Sequence, residues 1–181
     1  MSVDDMLAYS NEKEEKIQKI QALGQEFNQA LQSNDNAKIG QILESAKSLD
    51  VEIHAVLQIN YYAYLGDWSA LTEFINKSEV DLKSSVSNIF MSTDQMELDP
   101  NLLKAMEKHL VLNLPGGTAL LKSRLYVRLG DLKKAEAFAS EALSEVKLDG
   151  EFPTEPFEGF LQAIKNEQPM TLLDLQEAFN K

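Results

Sequence analysis

The dipeptide Gly130-Asp131 stands between two stretches of helical periodicity, and this corner constrains the fold more than any other feature of the chain. Before it, Leu121, Leu125, Tyr126 and Leu129 recur at helical spacing and so share one face. Gly130 can enter the left-handed region that ends a helix without the penalty a Cβ imposes. Asp131 can cap the next helix, because its carboxylate accepts from the unpaired amides of the first turn. In that second helix Leu132, Ala135, Ala139, Ala142 and Leu143 form the apolar stripe. Its three small alanines allow two antiparallel helices to approach closely. The stretch from Ala119 to Leu143 therefore reads as an αα-hairpin.

Looser versions of the same unit follow from reading the chain in order. Residues 1–13 read as a flexible lead-in. From Glu14 onward Ile17, Ile20, Leu23, Phe27 and Leu31 form a helix stripe, and Ser33-Asn34-Asp35-Asn36 makes a polar turn. Ile39, Ile42, Leu43, Ala46 and Leu49 complete a first hairpin. A second begins near Asp50, with Val51, Ala55, Leu57, Ile59, Tyr61, Tyr62 and Leu65 apolar on more than one side, as in a helix covered twice. Gly66-Asp67-Trp68 repeats the corner of Gly130-Asp131-Leu132, and Leu71, Phe74 and Ile75 continue it. A weaker unit carries Val86, Ile89 and Phe90, a turn at Ser92-Thr93-Asp94, and a capped start at Asp99-Pro100. Leu102, Leu103, Met106, Leu110 and Val111 are expected on its second helix. Leu114-Pro115-Gly116-Gly117 reads as a spacer before the strong hairpin. Beyond Leu148, a turn-rich connector leads to a helix with Phe157, Phe160, Leu161 and Ile164. Thr171 then caps a last helix with Leu172, Leu175 and Phe179.

Tyr126, Gly130, Asp131, Leu132, Ala135, Ala139 and Ala142, with Ser123 at the small position of the first helix, resemble a tetratricopeptide repeat (TPR). Ala119 stands where that family has its early tryptophan, and Lys147 where it has its closing proline. The two Gly-Asp corners lie 64 residues apart, close to two periods of the family's repeat of about 34 residues. The resemblance implies an all-α fold, a right-handed superhelical stack of about five TPR-like hairpins. Residues 14–148 would be the repeats, and 149–181 a connector with capping helices.

Composition limits the partners. The chain has 17 Lys+Arg against 29 Asp+Glu, a net charge of −12. Such a surface repels phosphate backbones and anionic lipid, so neither nucleic acid nor a membrane is expected. There is no cysteine, hence no disulfide and no thiolate metal site. No apolar run reaches the ~18–20 residues needed to cross a bilayer, and the N-terminus lacks the pattern of a secretory signal. A cytoplasmic protein is expected.

Catalytic and metal signatures are also missing from the sequence. His54 and His109 each follow a glutamate by two positions, and residues two apart on a helix point ~200° apart. No nucleophile elbow or phosphate-binding loop occurs. No enzyme activity, metal or cofactor is therefore expected.

One local charge pattern exceeds the background. Between residues 104 and 134 stand Lys104, Lys108, Lys122, Arg124, Arg128, Lys133 and Lys134, against only Glu107 and Asp131. Arg124 and Arg128 are four apart and share a face directed away from Leu125 and Leu129. By the resemblance, that face lines a concave groove, with Asn60 and Tyr64 at the equivalent positions of an earlier unit and Lys83 and Ser87 between them. These six residues would bind a protein or peptide partner carrying carboxylates or a free C-terminus. The expected function is that of a non-catalytic adaptor or co-chaperone-type module. A structural subunit using its convex face or acidic C-terminal hairpin is the second reading, and an all-α enzyme with a site outside known motifs the third.

Overall fold

Capping residues set the helix boundaries. In the computed structural model, which describes the backbone of residues 3–179 and the side chains of residues 13–178, Asp35 accepts from the Lys38 amide at 3.0 Å, Asp50 from Glu52 and Ile53, Asp99 from Asn101, and Asp131 from Lys134. Each carboxylate satisfies first-turn donors that have no partner inside the helix. Among the described residues the chain is all-helical, with ten helices: α1 (Val3–Gln32), α2 (Asn36–Leu49), α3 (Val51–Leu65), α4 (Trp68–Lys77), α5 (Lys83–Ser92), α6 (Pro100–Glu107), α7 (Gly117–Arg128), α8 (Leu132–Asp149), α9 (Glu155–Lys165) and α10 (Leu172–Phe179).

The helix ends share a second device. Asn34, Gly66, Gly130 and Glu167 all have positive φ, at 54°, 65°, 77° and 57°. At each one the left-handed residue donates back three positions and the next residue donates back five: Asp35 to Ala30, Asp67 to Tyr62, Asp131 to Tyr126 and Gln168 to Ala163, at 2.9–3.0 Å. That paired arrangement satisfies the last carbonyls of a helix. So the two Gly-Asp corners have two structural equivalents in Asn34-Asp35 and Glu167-Gln168, where no glycine announces them.

The chain divides into two compact units. One comprises Met1–Asp67 and Glu79–Asp81, the other Trp68–Ser78 and Leu82–Lys181. In the first, α1 packs on α2 and α3 packs on both. Phe27, Ile39, Ile42, Ala46 and Leu57 form its core. The helix expected from Glu14 begins at Val3, so most of the expected lead-in is helical; the side chains of residues 1–12 lie outside the described residues. α3 buries Ala55, Leu57 and Ile59, which explains the absence of a single stripe in its sequence.

In the second unit α7 and α8 form the expected hairpin, followed by α9 against α8 and α10 against α9. Ala135, Ala139, Ala142 and Val146 are buried with Phe157, Phe160 and Ile164. Ser123 is fully buried because its hydroxyl donates to the Ala135 carbonyl at 2.7 Å across the hairpin. Preceding them, α6 packs on α4, α5 and α7. The stripe expected to run through Leu110 and Val111 stops earlier, since α6 ends at Glu107. Leu110 is still buried, and the Val111 amide donates to the Ser87 hydroxyl at 2.9 Å. α3 and α4, expected as one hairpin, belong to different units.

Candidate functional site

Arg124 is buried, and its guanidinium is already occupied. Its Nε donates to Asp94 Oδ1 at 2.7 Å and its Nη2 to the Asp94 carbonyl at 3.3 Å. The other carboxylate oxygen of Asp94 accepts from the Leu172 amide, the first N–H of α10, at 2.7 Å. One buried carboxylate thus ties the turn after α5 to α7 and to α10. Arg128, one helical turn later, donates to the carbonyls of Thr93 and Met96, both at 3.0 Å, and lies over the Phe90 ring at 5.0 Å. Burial pulls its pKa below the usual arginine value. The shared face of Arg124 and Arg128 is as the four-residue spacing predicts, but it turns into the protein. The turn at Thr93–Met96 presents a carboxylate and three carbonyls that need donors, and the two planar forks supply them.

The other four residues expected in the groove are likewise engaged. Ser87 is buried and donates to the His109 carbonyl at 3.3 Å. Tyr64 is half exposed, and its hydroxyl reaches the Leu31 carbonyl and Asn34 Oδ1, bracing the corner between α1 and α2. Asn60 is exposed and donates to the Val56 carbonyl within its own helix. Lys83 opens α5 and is exposed. Asn60 and Tyr64 lie in the first unit, whereas Lys83, Ser87, Arg124 and Arg128 lie in the second.

A different group of cations meets on the second unit. Lys104 on α6, Lys108 at its C-cap four residues later, and Lys122 on α7 line a pocket of about 270 Å³ with Asn76, Ala105 and Glu107. The ion pairs among the described residues include none at these three lysines. Glu107, the acid in their midst, accepts a short hydrogen bond from the Tyr126 hydroxyl. That bond, reinforced by burial, pushes the Tyr126 pKa up to about 12. The Tyr126 ring stacks on Phe138 with centroids 5.5 Å apart. Lys134 sits 4.7 Å from the Tyr126 ring centre and Lys122 5.6 Å from that of Phe138. The negative faces of these two rings attract the Lys122 and Lys134 ammonium groups. The basic stretch in the sequence contained these lysines, but nothing in it ranked them above the two arginines. Asp94 left no local signal, because its partners are 30 and 78 residues away.

The second unit also holds an apolar cleft of about 610 Å³ beside α10, floored by Leu120, Leu121, Phe157 and Leu175. The Pro115-Gly116-Gly117 segment, read as a spacer, is a tight junction instead. The Gly116 amide donates to the Glu145 carboxylate at 2.9 Å, so a residue of the chain itself fills the anion position at the start of α7. Among the described residues no cluster of three or more His, Cys, Asp or Glu could hold a metal ion, and no helix is long and apolar enough to cross a membrane. The chain matches no protein-family model, no curated protein and no solved structure.

Proposed function

We propose that the chain is a non-catalytic interaction module built of TPR-like hairpins stacked in the right-handed sense, and that it binds an acidic segment of a protein partner at Lys104, Lys108 and Lys122. The observation that carries this reading is the convergence of three lysines that make no ion pair among the described residues, in a chain of net charge −12. The corners at Asn34, Gly66, Gly130 and Glu167 support the repeat architecture, since they recur at 32, 64 and 37 residues, near one, two and one periods of about 34.

Recognition here is by ammonium groups, which are compact point charges on flexible stems and accept carboxylates in several geometries. Each exposed pair is typically worth under ~1 kcal/mol, so the three must act together, with Asn76 adding an amide at the pocket edge. The site selects acidic character more than an individual sequence.

The test uses the full chain and short synthetic peptides read by calorimetry. One peptide ends in glutamates with a free C-terminus, the second is its C-terminal amide, and the third has lysine for glutamate. The acidic peptides should bind and the basic one should not; a preference for the free terminus would assign one lysine to the terminal carboxylate. Lys104→Glu with Lys108→Glu should weaken binding at least about tenfold. Equal binding of acidic and basic peptides would remove the proposal.

A further inference from the structure

The apolar cleft of the second unit is chemically unlike the lysine pocket. Its walls come from Met91, Leu112, Leu114, Leu120, Leu121, Phe152 and α10. Large apolar side chains that remain exposed converge on it: Leu114, Phe152 and Leu173 are 38%, 41% and 48% accessible, and all three line its mouth. Apolar residues scattered singly over a surface need no explanation, but a group of them around one concavity marks a place that something covers.

α10 shows what fits there. It is a two-turn helix that sets Leu172 and Leu175, three positions apart, against the cleft, with Leu175 fully covered. Its first N–H is held by the buried Asp94, and the Thr171 amide donates to the Asp174 carboxylate at 2.8 Å, closing its N-terminal turn. Leu173 lies on the uncovered side of the same helix. A second helix laid beside α10 would bury Leu173, Phe152 and Leu114 with apolar anchors at the same three- and four-residue spacings.

Charge identifies the character of that helix. No lysine or arginine lines the cleft. Glu177, four residues after Leu173, shares its helix face and is exposed, as are Asp174 and, beside Phe152, Glu151. Among the described residues Arg124, the cation whose partner Asp94 lines the cleft, is committed to that carboxylate. An anionic amphiphile such as a fatty acid would therefore meet repulsion at the mouth and no open cation inside. A second copy of this acidic chain would bring like charge against like. From these relations we infer that the cleft receives the apolar face of a partner helix whose leucine-type anchors are flanked by lysine or arginine. This partner surface is separate from the lysine pocket, and the two would recognise segments of opposite charge.

The experiment uses the full chain and three designed helical peptides followed by calorimetry. The first has leucines on one face and lysines beside them, the second has glutamates in place of the lysines, and the third has serines in place of the leucines. The lysine-flanked peptide should bind saturably, at least about tenfold tighter than either of the others. Leu173→Asn and Leu114→Asn, both at exposed positions, should each weaken it about tenfold or more. Leu148→Asn, at an exposed leucine of α8 outside the cleft, should leave it unchanged. Equal affinity for the lysine and glutamate peptides would overturn the inference, as would equal weakening by Leu148→Asn or no binding of any peptide. So would a concentration-dependent dimer in light scattering that Leu173→Asn abolishes, which would make the occupant a second copy.

Discussion

Arg124 and Asp94, thirty residues apart in the chain, form a buried ion pair with Nε and Oδ1 at 2.7 Å, and the same carboxylate holds the amide of Leu172. Removing one charge from such a pair leaves the other unpaired where water cannot reach it. Asp94→Ala and Arg124→Met should each cost about 3–5 kcal/mol in urea unfolding. The Asp94→Leu, Arg124→Met double variant should recover most of that, apart from about 1–3 kcal/mol for the stranded Leu172 amide. A single variant within ~0.5 kcal/mol of wild type would mean that the pair does not exist in solution. It follows that charge reversal at Arg124 reports on folding and not on partner binding.

The lysine pocket predicts a salt dependence. Exposed charge contacts weaken as the Debye length falls from about 10 Å at 0.1 M salt to about 3 Å at 1 M. Affinity for an acidic peptide should drop steeply across that range, and Lys104→Glu with Lys108→Glu should flatten the slope. The same double variant should leave the unfolding midpoint nearly unchanged, because neither side chain is buried. An acidic peptide whose affinity ignores salt would be binding elsewhere.

Tyr126 makes alkaline behaviour specific. Its hydroxyl donates to Glu107, and its pKa is raised from 10 to about 12. In the unfolded chain the phenol ionises around pH 10, while in the native state it keeps its proton. The native state then binds more protons in this window, so stability is full below about pH 10 and falls as pH rises toward 12. Tyr126→Phe should remove that part of the decline and delete a step near pH 12 from an absorbance titration at tyrosinate wavelengths. An unchanged titration curve would contradict the hydrogen bond.

Two glycines with positive φ should respond differently to alanine. At Gly130 (φ 77°) a Cβ meets nothing within 4 Å, so Gly130→Ala should cost only the left-handed strain of about 1–2 kcal/mol. At Gly116 (φ 72°) the added carbon would stand 2.6 Å from the Ala142 carbonyl oxygen and 2.9 Å from Val146 Cγ2. A clash with backbone adds to the strain, so Gly116→Ala should lower the thermal midpoint clearly further than Gly130→Ala. Equal shifts would argue that α7 and α8 are looser at this end than their packing implies.

Much of this was legible in the residues alone. The helical class followed from the three- and four-residue spacing of Ile39, Ile42, Leu43 and Ala46, and of Ala135, Ala139 and Ala142, because periodicity is a local property. The Gly66-Asp67 and Gly130-Asp131 corners were equally plain, since a glycine supplies the left-handed turn in each and Asp131 caps the helix after the second. Asn34 makes the same turn without a glycine and was legible as the polar turn Ser33-Asn34-Asp35-Asn36, whereas Glu167 carried no such mark. Likewise the four-residue spacing of Arg124 and Arg128 correctly put them on one face.

Which way that face turned was decided elsewhere. A helix period states which residues point together, but not whether they meet solvent or protein. For Arg124 the answer rests on a carboxylate thirty residues away, and for the lysines it rests on how α4, α6 and α7 meet around Asn76 and Glu107. The exposure of Leu173 beside the buried Leu175 has the same origin. Spacing along the chain determined the helices and which residues share a face. Tertiary packing alone decided which charges were matched inside and which stayed at the surface, because desolvation and ion pairing depend on neighbours that sequence order does not bring together.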